Sequence, residues 1–445
     1  MTTSTNSLFM RKSFTSDELN NSVIFDPDKR LRGDGGESVI AEVSDILAAG
    51  ETRSRALKQT DAARRTLTLS VFMANLAAAA INRVAPDRFI AVSFSRNTYA
   101  GTGLSVATMT ALRDVLLAND LIEGRLGVRR EDTFNHGYVG SSLTRVRATP
   151  RLKAIFQDQA LNYRSIERAL DRSAFVLTDR APGVSPSPPP DVAMTAEVID
   201  ALNHQLRDAA IALPADALER VIERYRGSTG AERKERGNVG DLTANSLFRS
   251  FKGDWMHGGR LYGGWWINLP KEERPHLTID GEKTVELDYS QLHPSILFAR
   301  AGIELDFDLY TLPGHATPEL RNLGKDTFAR LLNHKPKPGS PRTIALKSAG
   351  RKLLPNSISP ETYIQQFTAR LKPVERWLLV GEGLRLQRAD SDLALGVLKR
   401  MTLEGTTTLP IHDSFIVQEK HREALYRAMV EAYKETWGYT PRIKG

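Results

Sequence analysis

The chain has 445 residues, 41% of them hydrophobic, which is enough for more than one buried core and suits two or three domains. No run approaches the ~18 consecutive apolar residues of a membrane span, and MTTSTNSLFMRKSF lacks the apolar stretch of a secretory leader, so a cytoplasmic protein with no membrane partner is expected. Zero cysteines exclude disulfides, a thiolate nucleophile and Cys-ligated zinc, while a net charge of +8 fits a polyanionic partner such as nucleic acid.

Residues 1–59 read as a flexible polar lead-in, marked by DPDKRLRGDGGES. A helix is expected over 64–83, where Leu69, Phe72, Met73, Leu76 and Ala80 recur at helical spacing. A second, within 104–126, starts at a Ser105 cap and turns Met109, Leu112, Leu116 and Leu117 to one face. GRLGVRR and GYVGSSLTRVRATPRL follow as two strands of a basic hairpin, with Arg145 and Arg147 alternating along the second. A helix followed by a basic hairpin resembles the winged helix-turn-helix modules of plasmid replication initiators and many regulators, and this module is assigned to 60–156. The resemblance implies a helix in the major groove of duplex DNA, with Arg113, Arg125, Arg129, Arg130, Arg145 and Arg147 on the phosphates. A protein–protein platform is the alternative use. Residues 157–192 read as a helix and a proline-rich linker, APGVSPSPPPD, and 193–250 as a helical connector ending in a charged loop.

The richest chemistry lies in 251–445. In TVELDYSQLHPSIL, 284–297, Val285 and Leu287 alternate with Thr284, Glu286 and Asp288, so the last three share one face of a strand. Ser290 is placed to cap the helix that follows, Pro294 falls in its first turn, and Leu292, Ile296 and Leu297 point to a core. In TTTLPIHDSFIV, 406–417, two β-prone runs flank His412-Asp413, a tight hairpin with the carboxylate at its tip. If the two strands are neighbours, Asp288 and Asp413 converge on a hard cation such as Mg²⁺. Taken singly, Asp288 reads equally as a helix cap and Asp413 as a turn residue.

Together these segments are similar to the palm and fingers of family A DNA polymerases. LDYSQLHPSI looks like motif A, and IHDSF like motif C, which reads HDS in single-subunit phage-type RNA polymerases. RNLGK, with Arg321 and Lys325 one helical turn apart, looks like the R-x₃-K opening of motif B. The helix 384–400, carrying Gln387, stands directly before motif C, as a Gln-bearing helix does in that family. The resemblance covers about 255–430 and implies an α+β fold: a winged helix-turn-helix, then a palm with an antiparallel sheet and helical fingers over 251–445. It implies a minimal DNA-directed DNA polymerase without proofreading, acting in replication or repair of plasmid or phage DNA. Asp288 and Asp413 would be catalytic and would hold two Mg²⁺ or Mn²⁺ ions. Arg321, Lys325, Gln291 and His293 would bind the nucleoside triphosphate, His293 standing where the family places its sugar gate. Arg260, Tyr262, Trp265, Gln387 and His412 would touch the primer–template, although a tryptophan-filled core explains Trp265 equally well. The pattern departs from the family at Ala329 and Asn333, where motif B carries an aromatic residue and a glycine, and at Ser414, which replaces an acidic residue. A primase or RNA polymerase, and a non-catalytic DNA-binding initiator or regulator on a decayed polymerase scaffold, are the alternatives.

Overall fold

Two folded units share the chain, each assembled from segments distant in sequence. The computed structural model describes residues 13–49, 58–83, 86–95, 98–99, 102–127, 129–131, 138–141, 143–169, 173–226, 241–314, 316–340 and 343–445, with backbone alone for the strands 129–131 and 138–141. The first unit takes residues 1–172, 213–246 and 264–274, and the second takes 173–212, 247–263 and 275–445. The contiguous boundaries expected from composition therefore do not hold.

The first unit begins inside the supposed lead-in. There, β1 (Val23–Ile24) is followed by α1 (Gly33–Ala49), whose Val39, Val43 and Leu47 are fully buried one turn apart. The glycine-rich start GDGGES obscures a helical period that becomes visible only from Val39 onward, and burial of that stripe outweighs the poor propensity before it. Helix α2 (Gln59–Ala80) is buried on almost every side from Thr68 to Ala79, which makes it central rather than amphipathic. Next come β2 (Ile90–Val92), α3 (Val106–Ala118), β3 (Ile122–Arg125), β4 (Arg129–Glu131), β5 (Tyr138–Ser141), β6 (Thr144–Ala148) and α4 (Pro150–Asp158). Ser105 caps α3, its Oγ accepting from the Thr108 N–H, and Met109, Leu112, Leu116 and Leu117 are buried. The main sheet runs β1-β2-β6-β3, and β4 pairs with β5 as a separate ribbon.

In the second unit, β7 (Phe175–Thr178) lies parallel to β9 (Asn245–Lys252), which also pairs with β10 (Asp254–Gly264). The proline-rich stretch is not a spacer between domains. Its Ser185 carbonyl accepts from Trp255 Nε1 at 2.9 Å, and Val192 is buried with Phe251 and Trp255. Helix α5 (Ala196–Asp208) and β8 (Ile211–Ala212) lead to the larger sheet. That sheet contains β11 (Thr278–Ile279), β12 (Glu282–Tyr289), β13 (Leu409–Ile411), β14 (Ser414–Gln418) and β15 (Ile443–Lys444). Its order is β8-β11-β12-β14-β13, β15 also pairs with β12, and every pairing is antiparallel. Asp280 and Gly281 both have positive φ and close the two-residue β11–β12 turn, for which Asp-Gly is a favoured pair. Helices α6 (Leu292–Arg300), α7 (Pro318–Asn333), α8 (Gly383–Leu403) and α9 (Arg422–Trp437) complete the elements used below. The fold is mixed α and β with several small sheets. Among the described residues, no helix is long and apolar enough to cross a membrane.

Candidate functional site

Register brings the two aspartates together. β12 and β14 are antiparallel neighbours with Asp288 opposite Ser414. β13 and β14 form a hairpin whose two-residue turn is His412-Asp413, because Ile411 pairs with Ser414. Asp413 thus follows β13 and precedes the residue facing Asp288, and its carbonyl accepts from the Tyr289 N–H at 3.3 Å. The two runs 125 residues apart become one strand-end pair of carboxylates.

These carboxylates line a cavity of about 380 Å³, together with Arg260, Gln291, His293, Tyr310, Arg321, Lys325, Gln387 and Lys444. Helix α7 presents Arg321, Lys325, Ala329 and Asn333 to it at a four-residue period, one face of a helix. Gly324 lets that helix approach: a Cβ there would lie 2.0 Å from the Tyr310 carbonyl oxygen. Arg321 is held at 2.7 Å by Asp308 and lies 5.4 Å from the Tyr310 ring centroid. Despite partial desolvation, Asp308 is kept below the usual carboxylate range by that guanidinium.

The electrostatics are uneven. Burial, reinforced by the negative charges of Asp288 and Asp390, pushes the Asp413 carboxyl up to about 6. Asp288 is met at 2.8 Å by the Lys444 ammonium, from the residue directly opposite it on β15. Asp390, on α8, is completely buried and takes two partners: Arg260, through Nε at 3.2 and 3.1 Å and through Nη2, and His293, through Nε2 at 2.7 Å. Burial opposes the charge of Arg260, but Asp390 and, beyond it, Asp413 hold its pKa above the ordinary value.

Several expected residues turn out to be committed elsewhere. Gln291, not Ser290, is the N-cap of α6. It adopts left-handed backbone (φ 56°), and its side chain binds backbone instead of capping, with Oε1 accepting from Leu309 N–H and Nε2 donating to Phe307 O. The Ser290 N–H is used by the Arg442 carbonyl. Trp265 is only 4% exposed and Trp266 fully buried, so Trp265 fills a core and has no face left for a base. Tyr262 is exposed, and its ring meets His412 edge-on at 5.7 Å. In the first unit, Arg147 bonds Glu123 at 2.7 Å and lies over Phe89, Arg113 bonds Asp114, and Arg145 donates to the Leu19 and Leu143 carbonyls. The side chains of Arg129 and Arg130 lie outside the described residues. Asp390 and Lys444 were missed. Asp390 sits one turn after Gln387, on the same side of its helix, a cue the sequence did carry. Lys444 gave no signal, because its strand is two residues long.

Asp288 and Asp413 are hard oxygen donors whose mutual repulsion a divalent cation would relieve, so the donor set fits Mg²⁺ or Mn²⁺. Among the described residues, no group of three or more His, Asp or Glu side chains is arranged to hold a metal ion. Two carboxylates beside Arg260, Arg321, Lys325 and Lys444 suit a polyanionic substrate that brings further oxygen ligands of its own. Comparison with protein-family models and with curated proteins finds no match for this chain.

Proposed function

We propose that the protein is a nucleic acid polymerase that performs nucleotidyl transfer at this cavity. The observation that carries the reading is the pairing of Asp288 and Asp413 at adjacent strand ends, lining one cavity with Arg321 and Lys325 of α7. Asp288 and Asp413 would hold the divalent ions, Mg²⁺ or Mn²⁺. When bound, such ions stabilise charge on the attacking and the leaving oxygen of an in-line displacement at phosphorus. The residues of the chain do the positioning. Lys325 and Arg321, a helical turn apart, bind the triphosphate and neutralise charge that builds up as pyrophosphate leaves. Their geometry is set by Asp308 on one side and by the close approach at Gly324 on the other. His293 and Gln387 contact the nucleotide and the primer–template. The primer 3′-hydroxyl gives up its proton to solvent and its oxygen forms the new bond to the α-phosphorus as the bond to pyrophosphate breaks.

The first unit supplies duplex DNA binding in this reading. Its order of α2, β2, α3, β3 and β6, with the basic β4–β5 ribbon, supports a winged helix-turn-helix. The ion pairs of Arg113 and Arg147 move the expected phosphate contacts toward the ribbon that carries Arg129 and Arg130.

The test is extension of a labelled primer with Mg²⁺ or Mn²⁺, comparing dNTPs with NTPs and templated with single-stranded primers. Extension by the wild-type protein that is lost in both Asp288→Asn and Asp413→Asn is the expected result. The ion pair of Lys444 with Asp288 favours a second reading, a non-catalytic DNA-binding initiator or regulator. Tight duplex binding without extension under any of these conditions would select it.

A further inference from the structure

Asp413 lies within electrostatic reach of Asp288, Asp390 and Arg260, and the pairing among these groups is selective. Arg260 feels both Asp390 and Asp413, yet every hydrogen bond it makes to a carboxylate goes to Asp390. Among the described residues, Asp413 takes part in no ion pair. Asp390 is the completely buried member, where an ion pair is least screened and an unpaired charge least tolerated. It also accepts from His293 Nε2, which fixes the carboxylate from a second side. Arg260 arrives from β10, His293 from α6 and Asp390 from α8, so three elements are tied at one point.

We propose that Asp390 is a positioning residue that holds Arg260 away from Asp413 and thereby leaves the Asp413 carboxylate open to a divalent cation. Without the charge on Asp390, Asp413 is the carboxylate whose charge still acts on Arg260, and the guanidinium then competes for the oxygens a cation would use. Asp390 acts through Arg260 and touches neither the cation nor the substrate. The inference rests on the metal-binding reading above, and the experiment separates the two.

Mn²⁺ binding to the full chain is measured by electron paramagnetic resonance of the free ion, without nucleotide or DNA. Asp413→Asn tests the underlying reading: if the wild-type protein binds no Mn²⁺, or Asp413→Asn binds as tightly as wild type, that reading falls and takes this inference with it. If wild-type binding depends on Asp413, Asp390→Asn is expected to weaken it by about ten-fold or more, the usual scale for an outer partner of a metal site. The double variant Arg260→Gln/Asp390→Asn is expected to recover most of that loss, and Arg260→Gln alone to bind at least as tightly as wild type. Wild-type affinity in Asp390→Asn overturns the proposal. So does a loss that Arg260→Gln fails to restore, which would make Asp390 a ligand itself. Where Asp390→Asn does not fold, Arg260→Gln alone decides: weaker Mn²⁺ binding refutes the idea.

Discussion

Asp413 is the residue with the clearest thermodynamic signature. Its folded pKa of about 6 stands above the unfolded carboxylate value near ~3.9, so the native state binds the proton more tightly than the unfolded chain does. The contribution is therefore favourable below about pH 4 and is lost as pH rises through 6. Asp413→Asn removes the penalty of a buried charge, and in metal-free buffer it should stabilise the protein at pH 7.5 by on the order of 1–2 kcal/mol. The gain should shrink steadily as pH falls toward 4, and thermal melts at several pH values read it directly. A gain that grows on acidification would mean that the carboxyl is not raised. For Lys325, the proposed triphosphate contact predicts that its loss acts on substrate use rather than on the fold. Lys325→Ala should raise the KM for nucleotide by about ten-fold or more with duplex DNA affinity unchanged. Equal losses in both would assign α7 to the nucleic acid backbone instead. His293 is the residue whose expected role as a sugar gate the geometry complicates, since its Nε2 is bound to Asp390.

At the scale of elements, the short β15 matters more than its length indicates. Lys444 sits opposite Asp288 by register, and its side chain is more than half exposed, so the pair is screened and contributes about 0–1 kcal/mol. A divalent cation bound there, as proposed, would displace such a partner at little cost. Lys444→Ala should leave the melting temperature within about 3 °C of wild type and tighten Mn²⁺ binding by a few-fold. Weaker Mn²⁺ binding would show instead that Lys444 orients the carboxylate. Helix α7 makes the opposite case, where backbone contact leaves no slack. A methyl group at Gly324 would overlap the Tyr310 carbonyl, so Gly324→Ala must push the helix away from the cavity wall. It should cost about 1–3 kcal/mol, as overpacking does, and lower nucleotide affinity with it. Unfolding in urea and nucleotide titration of the same variant provide both readouts.

Across the whole molecule, discontinuity is what composition could not convey. The core of the first unit joins Phe25, Val39, Val43 and Leu47 to α2 and α3, and later segments of the chain, 213–246 and 264–274, belong to the same unit. A fragment limited to 60–156 lacks the α1 stripe and exposes the face of α2 that it covers. It should therefore melt without a cooperative transition and bind a hydrophobic dye, whereas the full chain should melt cooperatively. A cooperative melt of the fragment would mean that the module is self-sufficient after all. Buried Lys29, bonded to Asp241 at 2.7 Å and to Thr243, ties residue 29 to residue 241 within this unit. No local pattern announces a pair so far apart.

What the sequence determined by itself was whatever depends on near neighbours. The two-residue turn at His412-Asp413, the Ser105 cap, the buried stripe of α3 and the common face of Arg321 and Lys325 follow from periodicities of two and 3.6 and from hydrogen bonds closed within a few residues. The placement of Asp288 near the end of β12, one residue short of its last, and of Asp413 in the turn after β13 was legible for the same reason. Tertiary structure alone decided which segments share a core, that Trp265 is packed away, that Gln291 turns its side chain to the backbone, and that Asp390 and Lys444 stand beside the two aspartates. Those outcomes depend on strand register and on burial between residues a hundred or more positions apart. There the free energy comes from desolvation and charge pairing in three dimensions, for which a linear pattern leaves little trace.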